Sequence, residues 1–174
     1  MRKPFSVKKV FRYGMAIAAG ICLVLIVVKT YQFIQLSTDK LYNKAFVNYE
    51  LPVSDSSLED GVLIENLYRQ KNFKVIIKEA KKPRLPNDKT FLLIGIANLH
   101  VDNPFNAIAA FRQIKPSGNY FHEAQYYLSL AYLKNNDYDQ ALGLMQQIKN
   151  NKLHPYQKHF SSSYLRKIRM LKWK

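Results

Sequence analysis

Cysteine is almost absent from this chain: Cys22 is the only one. An intramolecular disulfide is therefore excluded. Glycine is scarce too, with six residues in 174, and none forms the run of a phosphate loop or a dinucleotide-binding turn. Acidic residues number 12 against 27 lysines and arginines, for a formal net charge of +15. The acids that do cluster, Asp55, Glu59 and Asp60, fall at an expected helix start, where the helix dipole favours negative charge. The four histidines, His100, His122, His154 and His159, show no i,i+4 pairing that would hold a metal. Ser161, Ser162 and Ser163 form a run without the glycine-flanked turn of a nucleophile elbow. The expectation is a non-catalytic protein with no cofactor, no metal and no small-molecule substrate.

Hydrophobic residues make up 48% and charged residues 22%, a balance that suits a folded chain. Residues 14–28 carry no charge. That run is short of the ~20 apolar residues of a bilayer span. Tyr13, the stems of Arg12 and Lys29, and the apolar tail 31–36 supply the missing length. Residues 13–36 are thus expected to form a transmembrane helix with an interfacial extension. Arg2, Lys3, Lys8, Lys9 and Arg12 precede it, and only Lys29 follows closely. The positive-inside bias places residues 1–12 in the cytoplasm and residues 37–174 across the membrane. A cleaved signal peptide and a lipidated Cys22 compete with this reading. The segment VVKTYQF is too bulky for a cleavage site, and Ile21 stands where lipidation needs a small residue.

Beyond a connector at 37–53, the chain repeats itself. Ile94 and Leu128, Gly95 and Ser129, Ala107 and Ala141, Phe111 and Met145, and Ile114 and Ile148 are each 34 residues apart. Small residues match small ones and large apolar residues match large ones. A period of 34 with two helices per unit calls for small residues where two backbones approach. An earlier unit lies in LIENLYRQKNFKVIIKEAKK, offset by 31, with Ile76 at the small-residue position. Asn103 before Pro104, and Asp137 before Gln140, read as helix starts. Pro83 and Pro86 separate the first unit from the second, and Pro155 opens a last helix at about 156–171.

Through Leu128, Ser129, Tyr132, Tyr138, Ala141 and Met145, and through Phe91, Ile94, Gly95, Ala107, Phe111 and Ile114, the chain resembles the tetratricopeptide repeat family. Asn98 departs from the pattern where Tyr132 keeps it. The resemblance implies an all-α fold: a transmembrane helix, a right-handed solenoid of about three hairpins at 54–154, and a basic capping helix at 155–174. It also implies a groove lined by the first helix of each hairpin. The groove residues would be Lys89, Leu92, Ile96, Leu99 and His100, then Glu123, Tyr126, Leu130, Leu133 and Lys134. Leu58, Gly61, Glu65, Tyr68 and Arg69 would line it in the first hairpin. The groove's apolar middle suits an amphipathic helix or an extended apolar peptide. The connector, rich in apolar residues (Leu41, Tyr42, Phe46, Val47, Tyr49, Leu51), is expected to pack on the first hairpin as an extra helix. Alternatively, it or the groove grips another membrane protein.

The basic tail holds Lys158, Arg166, Lys167, Arg169, Lys172 and Lys174. It forms either a solvated helix face or a contact with lipid headgroups or an acidic partner. Aromatic residues interleave it (Tyr156, Phe160, Tyr164, Trp173), which is the one feature in favour of nucleic-acid binding. The architecture is similar to that of single-anchor repeat proteins of the bacterial inner membrane, such as the ancillary subunit of the Sec translocon and small Bacteroidetes repeat proteins. That similarity implies a scaffold or accessory subunit of a secretion or envelope-assembly complex. Its partners would be the lipid bilayer and one or more membrane or periplasmic proteins. A periplasmic chaperone-like peptide binder is the second reading, and a basic nucleic-acid binder the third.

Overall fold

The computed structural model describes residues 7–52, 59–81 and 87–174. Of the sequence expectations, those on Arg2, Lys3, Asp55, Leu58, Pro83 and Pro86 lie outside the described residues. So do those on the side chains of Lys8, Lys9, Arg12, Glu59 and Asp60. Among the described residues every regular element is helical. The chain divides after Leu36 into two compact units.

The first unit contains α1, Val7–Ile34. Its stretch Tyr13–Ile34 is 22 residues long, with a mean hydropathy of 2.1 and no buried part. At 1.5 Å per residue this spans about 33 Å, enough to cross a hydrocarbon core of about 30 Å. The helix continues past Lys29 to Ile34, so residues 31–34 of the apolar tail lengthen the candidate span, while Leu36 lies beyond the helix.

The second unit holds α2 (Thr38–Ala45), α3 (Glu59–Arg69), α4 (Phe73–Glu79), α5 (Asp88–His100), α6 (Pro104–Phe111), α7 (Phe121–Lys134) and α8 (Tyr138–Asn150). A 3-10 turn, Gln157–His159, and α9 (Ser162–Leu171) complete it. Three helix pairs follow in order: α3 packs on α4, α5 on α6 and α7 on α8. Adjacent pairs meet through α4 with α5, α3 with α5, α6 with α7, and α5 with α7.

One turn closes all three pairs. Lys71, Asp102 and Asn136 are left-handed, with φ of 57°, 59° and 60°. Each amide bonds back to the carbonyl three residues earlier: Tyr68, Leu99 and Leu133. The next amides, of Asn72, Asn103 and Asp137, reach Leu67, Asn98 and Tyr132 at 2.9, 2.8 and 2.9 Å. This double closure is the Schellman arrangement, and it satisfies carbonyls that the helix end would leave bare. The residue ending one helix then starts the next. Asn103 Oδ1 accepts from Asn106 N–H and Asp137 Oδ1 from Gln140 N–H, both at 3.4 Å. The left-handed positions stand 31 and 34 residues apart, the same offsets as the apolar pattern.

Residues 34 apart also share their burial. Ala107 and Ala141 are fully buried, as are Phe111 and Met145, and Gly95 matches Ser129. Gly95 is tight because the Phe111 ring fills its side: a Cβ there would come within 2.3 Å of a ring carbon. Ile76 sits fully buried at the corresponding place in the first pair.

Two elements differ from the sequence expectation. The terminal helix begins at Ser162, because Pro155 opens only a turn and the 3-10 segment. Ser161 is its cap, its hydroxyl accepting from Tyr164 N–H at 3.2 Å. The connector does form an extra helix, α2, but α2 packs on α7 and α9 instead of on the first pair. At eight residues α2 is too short to hold itself together. Burial of Leu41, Tyr42 and Ala45 holds it, and a leucine-sized side chain contributes about 1.5–3 kcal/mol. Those three residues face the last pair, and that decides where the helix docks.

Candidate protein-interaction site

Most of the apolar residues expected to line a groove along α5 and α7 are buried within the chain. Leu92, Ile96, Tyr126, Leu130 and Leu133 have no exposed surface, and Leu99 has 4%. α2 packs on α7, and together with the residues 46–52 that follow it forms a cover over Tyr68, His100, Tyr126 and Tyr127.

The cover is held by its backbone. Four tyrosine hydroxyls and one guanidinium each donate to a carbonyl of the connector. Tyr164 reaches Leu41 O at 2.9 Å, and Tyr126 reaches Ala45 O. Tyr127 reaches Val47 O at 2.7 Å, Tyr68 reaches Tyr49 O at 3.1 Å, and Arg69 Nη2 reaches Pro52 O at 3.1 Å. An extended strand with no sheet partner has carbonyls to satisfy, and buried tyrosines have hydroxyls to place. Each need meets the other. Burial, with tyrosine neighbours, raises the pKa of Tyr126 and Tyr127, so both hydroxyls stay protonated donors. Burial likewise lifts Tyr68 to about 12, against a smaller opposing effect of its bond to Tyr49.

Aromatic contacts fill the rest. Phe46 meets His100 edge-on at 5.2 Å and Tyr127 at 6.0 Å. Phe73 stacks flat on His100, 4.0 Å apart with 2° between planes. His100 is exposed at its edge, and desolvation of its ring, with the charge of Lys71, lowers its pKa. Tyr126 stacks on Tyr156 at 4.1 Å.

The charged positions of the expected groove are mostly spoken for. Lys89 Nζ lies 2.6 Å from Glu65 Oε1, with both side chains at or under 10% exposure. This buried pair ties α5 to α3, and removing either partner alone would strand a charge. Lys134 Nζ bonds Asp39 at 2.6 Å and Asp102 at 3.2 Å, and lies 5.1 Å over the Tyr42 ring. Its hydrogen bond to Asp39 is the main cause of its raised pKa. Glu123 is half-buried and Arg69 exposed. Gly61 lies in α3, with its surroundings outside the described residues.

One cleft stays open beside the cover, with a volume of about 420 Å³. Tyr49, Leu51, Tyr68, Phe73 and His100 line it, with Arg69 and Lys71 at its margin. Of these, the sequence assigned His100, Tyr68 and Arg69 to a groove and Tyr49 and Leu51 to the connector, and it did not bring the two groups together. It missed the tyrosine donors Tyr127 and Tyr164. The signal was present in 12 tyrosines, several at buried helical positions where a hydroxyl needs a partner.

In the basic tail, Lys158, Arg166, Lys167 and Arg169 are exposed. Lys172 pairs with Asp139 at 2.7 Å, and Lys174 lies exposed beyond α9. The opposite face of α9 buries Tyr164, Leu165, Ile168 and Leu171. His154 is 4% exposed. Its Nδ1 accepts from Tyr156 N–H at 3.2 Å, and the His122 ring lies 4.6 Å away. Desolvation, then the neighbouring His122, lowers its pKa to about 4. Comparison with known protein families, characterised proteins and solved structures returns no match to this chain.

Proposed function

We propose that this chain is a membrane-anchored, non-catalytic interaction scaffold, an accessory subunit of an inner-membrane complex for secretion or envelope assembly. On this reading α1 spans the bacterial inner membrane with the N-terminus in the cytoplasm, and the three helix pairs form a tetratricopeptide-like array in the periplasm. The repeated turns and the 34-residue burial pattern support the array. The lysines and arginines before the span support the orientation.

The observation that carries the reading is the way residues 38–52 are held. Side chains of α3 and α7 donate to the carbonyls of the connector, which is how a peptide-binding surface works. Here the chain's own connector takes that place, and Tyr68, Tyr126 and Tyr127 act by fixing it. The partner segment then meets the adjoining cleft at Leu51, Tyr68, Phe73 and His100. On this reading the anchor confines the domain to the membrane and raises the local concentration of membrane partners.

In-membrane photo-crosslinking of the full chain tests this. A crosslinker at Leu51 or Phe73 is expected to capture one membrane protein in stoichiometric yield. A crosslinker at buried Leu92 is expected to capture only residues of this chain. A scatter of unrelated translocating chains at Leu51 would replace the scaffold with a chaperone-like binder. Capture of nothing from the membrane would sink both.

A further inference from the structure

A second concavity, of about 170 Å³, lies between α2, the 3-10 turn and α9. Lys44 comes from α2, Lys158 from the turn and Lys167 from α9. His159, Ser161 and Ser163 complete its polar wall. No carboxylate lines it, and among the described residues none of the three lysines is in an ion pair. Lys172, the exposed lysine at the end of α9, does have an acid, Asp139. Three like charges converging without a counter-charge repel one another, and an anion between them removes that cost.

The three elements are fastened together independently of the lysines. Tyr164 on α9 donates to Leu41 O on α2, and Tyr126 reaches Ala45 O while its hydroxyl lies 3.4 Å from His159 Nδ1. The backbones carrying the lysines are therefore preorganised around the cavity. Two hydroxyls, Ser161 and Ser163, 2.9 Å apart, add short donors that an oxyanion with several acceptor atoms can use.

We propose that this cavity binds a phosphate group, with Lys44, Lys158 and Lys167 as its cationic ligands. The same chemistry belongs to an anionic lipid headgroup and to a free phosphate. α2, which carries Lys44, follows the apolar helix after three residues of chain, so a headgroup is one of the two sources to test. This site is separate from the cleft of the proposed scaffold role and does not depend on it.

The test uses lysine acylation of the full chain, read by mass spectrometry at each lysine. In a maltoside detergent, inorganic phosphate is titrated in. In nanodiscs, neutral lipid is compared with lipid containing phosphatidylglycerol. Saturable protection of Lys44, Lys158 and Lys167, with exposed Lys152 unprotected, is expected in at least one arm. Protection in the detergent arm assigns a free phosphate, and protection only with phosphatidylglycerol assigns a headgroup. Lys44→Gln, Lys158→Gln or Lys167→Gln should each weaken protection of the remaining two by about 10-fold. The control Arg166→Gln/Arg169→Gln should leave it unchanged. Equal protection of Lys152, equal loss in the control, or no protection in either arm would overturn the proposal.

Discussion

At the scale of single residues, the tyrosine hydroxyls carry much of the specificity of this domain. Tyr127 sits at 1% exposure and holds Val47 O. Tyr127→Phe keeps the ring contacts with Phe46 and Phe111 and removes one hydrogen bond. It should cost about 0.5–1.5 kcal/mol, seen as a lower denaturant midpoint with an unchanged slope. A neutral result would mean that water replaces the hydroxyl at Val47. His154 gives a pH signature. Its pKa falls from 6.5 to about 4 on folding, so the unfolded chain binds the extra proton between those values. Its stabilising contribution is full above pH 6.5 and is lost as pH falls through about 4. His100 is shifted in the same direction. Stability should therefore drop on acidification from pH 7 to 4, and the drop should be shallower in His154→Asn, which retains an acceptor for Tyr156 N–H. Equal slopes for both proteins would remove His154 from the account.

At the scale of elements, the repeat was legible because its cause is local. Small residues at Gly95, Ser129, Ala107 and Ala141 mark where helices close on one another, and spacing alone reveals them. Gly95→Ala tests that cause. Helix propensity would gain up to about 1 kcal/mol, but the new Cβ must displace the buried Phe111 ring. Overpacking costs typically 1–3 kcal/mol, so net destabilisation is expected, measured as a lower Tm. The turns were half legible. Asn103 and Asp137 announced helix starts, while the left-handed Lys71 and Asp102 did not, because neither is glycine. Lys71→Gly removes the steric cost of that conformation, about 1 kcal/mol, against a larger unfolded-state entropy. A net gain of up to about 1 kcal/mol in chemical unfolding is expected, and any loss would mean that the Lys71 side chain has a packing role.

At the scale of the molecule, the apolar helix could be read from composition, since length and hydropathy suffice for it. The docking of the connector could not. Its partners, Tyr126, Tyr127 and Tyr164, lie 81, 80 and 123 residues away, and no local pattern encodes such pairings. The start of α9 was missed for a related reason: Phe160, buried at 1%, leaves the helical conformation and separates the 3-10 segment from α9. The proposed orientation has its own check. Leu153 is 91% exposed, so Leu153→Cys in a Cys22→Ala background should react with a membrane-impermeant maleimide added to intact spheroplasts. Reaction only after lysis would reverse the topology.

The bond from Tyr164 to the carbonyl of Leu41 joins residues 123 apart. At ribosomal speeds of about 5–20 residues per second, roughly 6–25 seconds separate the synthesis of its two ends. Until α7 and then α9 have been made, the α2 segment lacks the partners that hold it as a helix, and Leu41, Tyr42 and Phe46 are bare. The segment that later closes the domain is thus the first part of it to be made and among the last to find its place. A nascent chain stalled before α7 would present that apolar strip to whatever protein waits at the exit site, a vulnerability in time that the finished fold no longer displays.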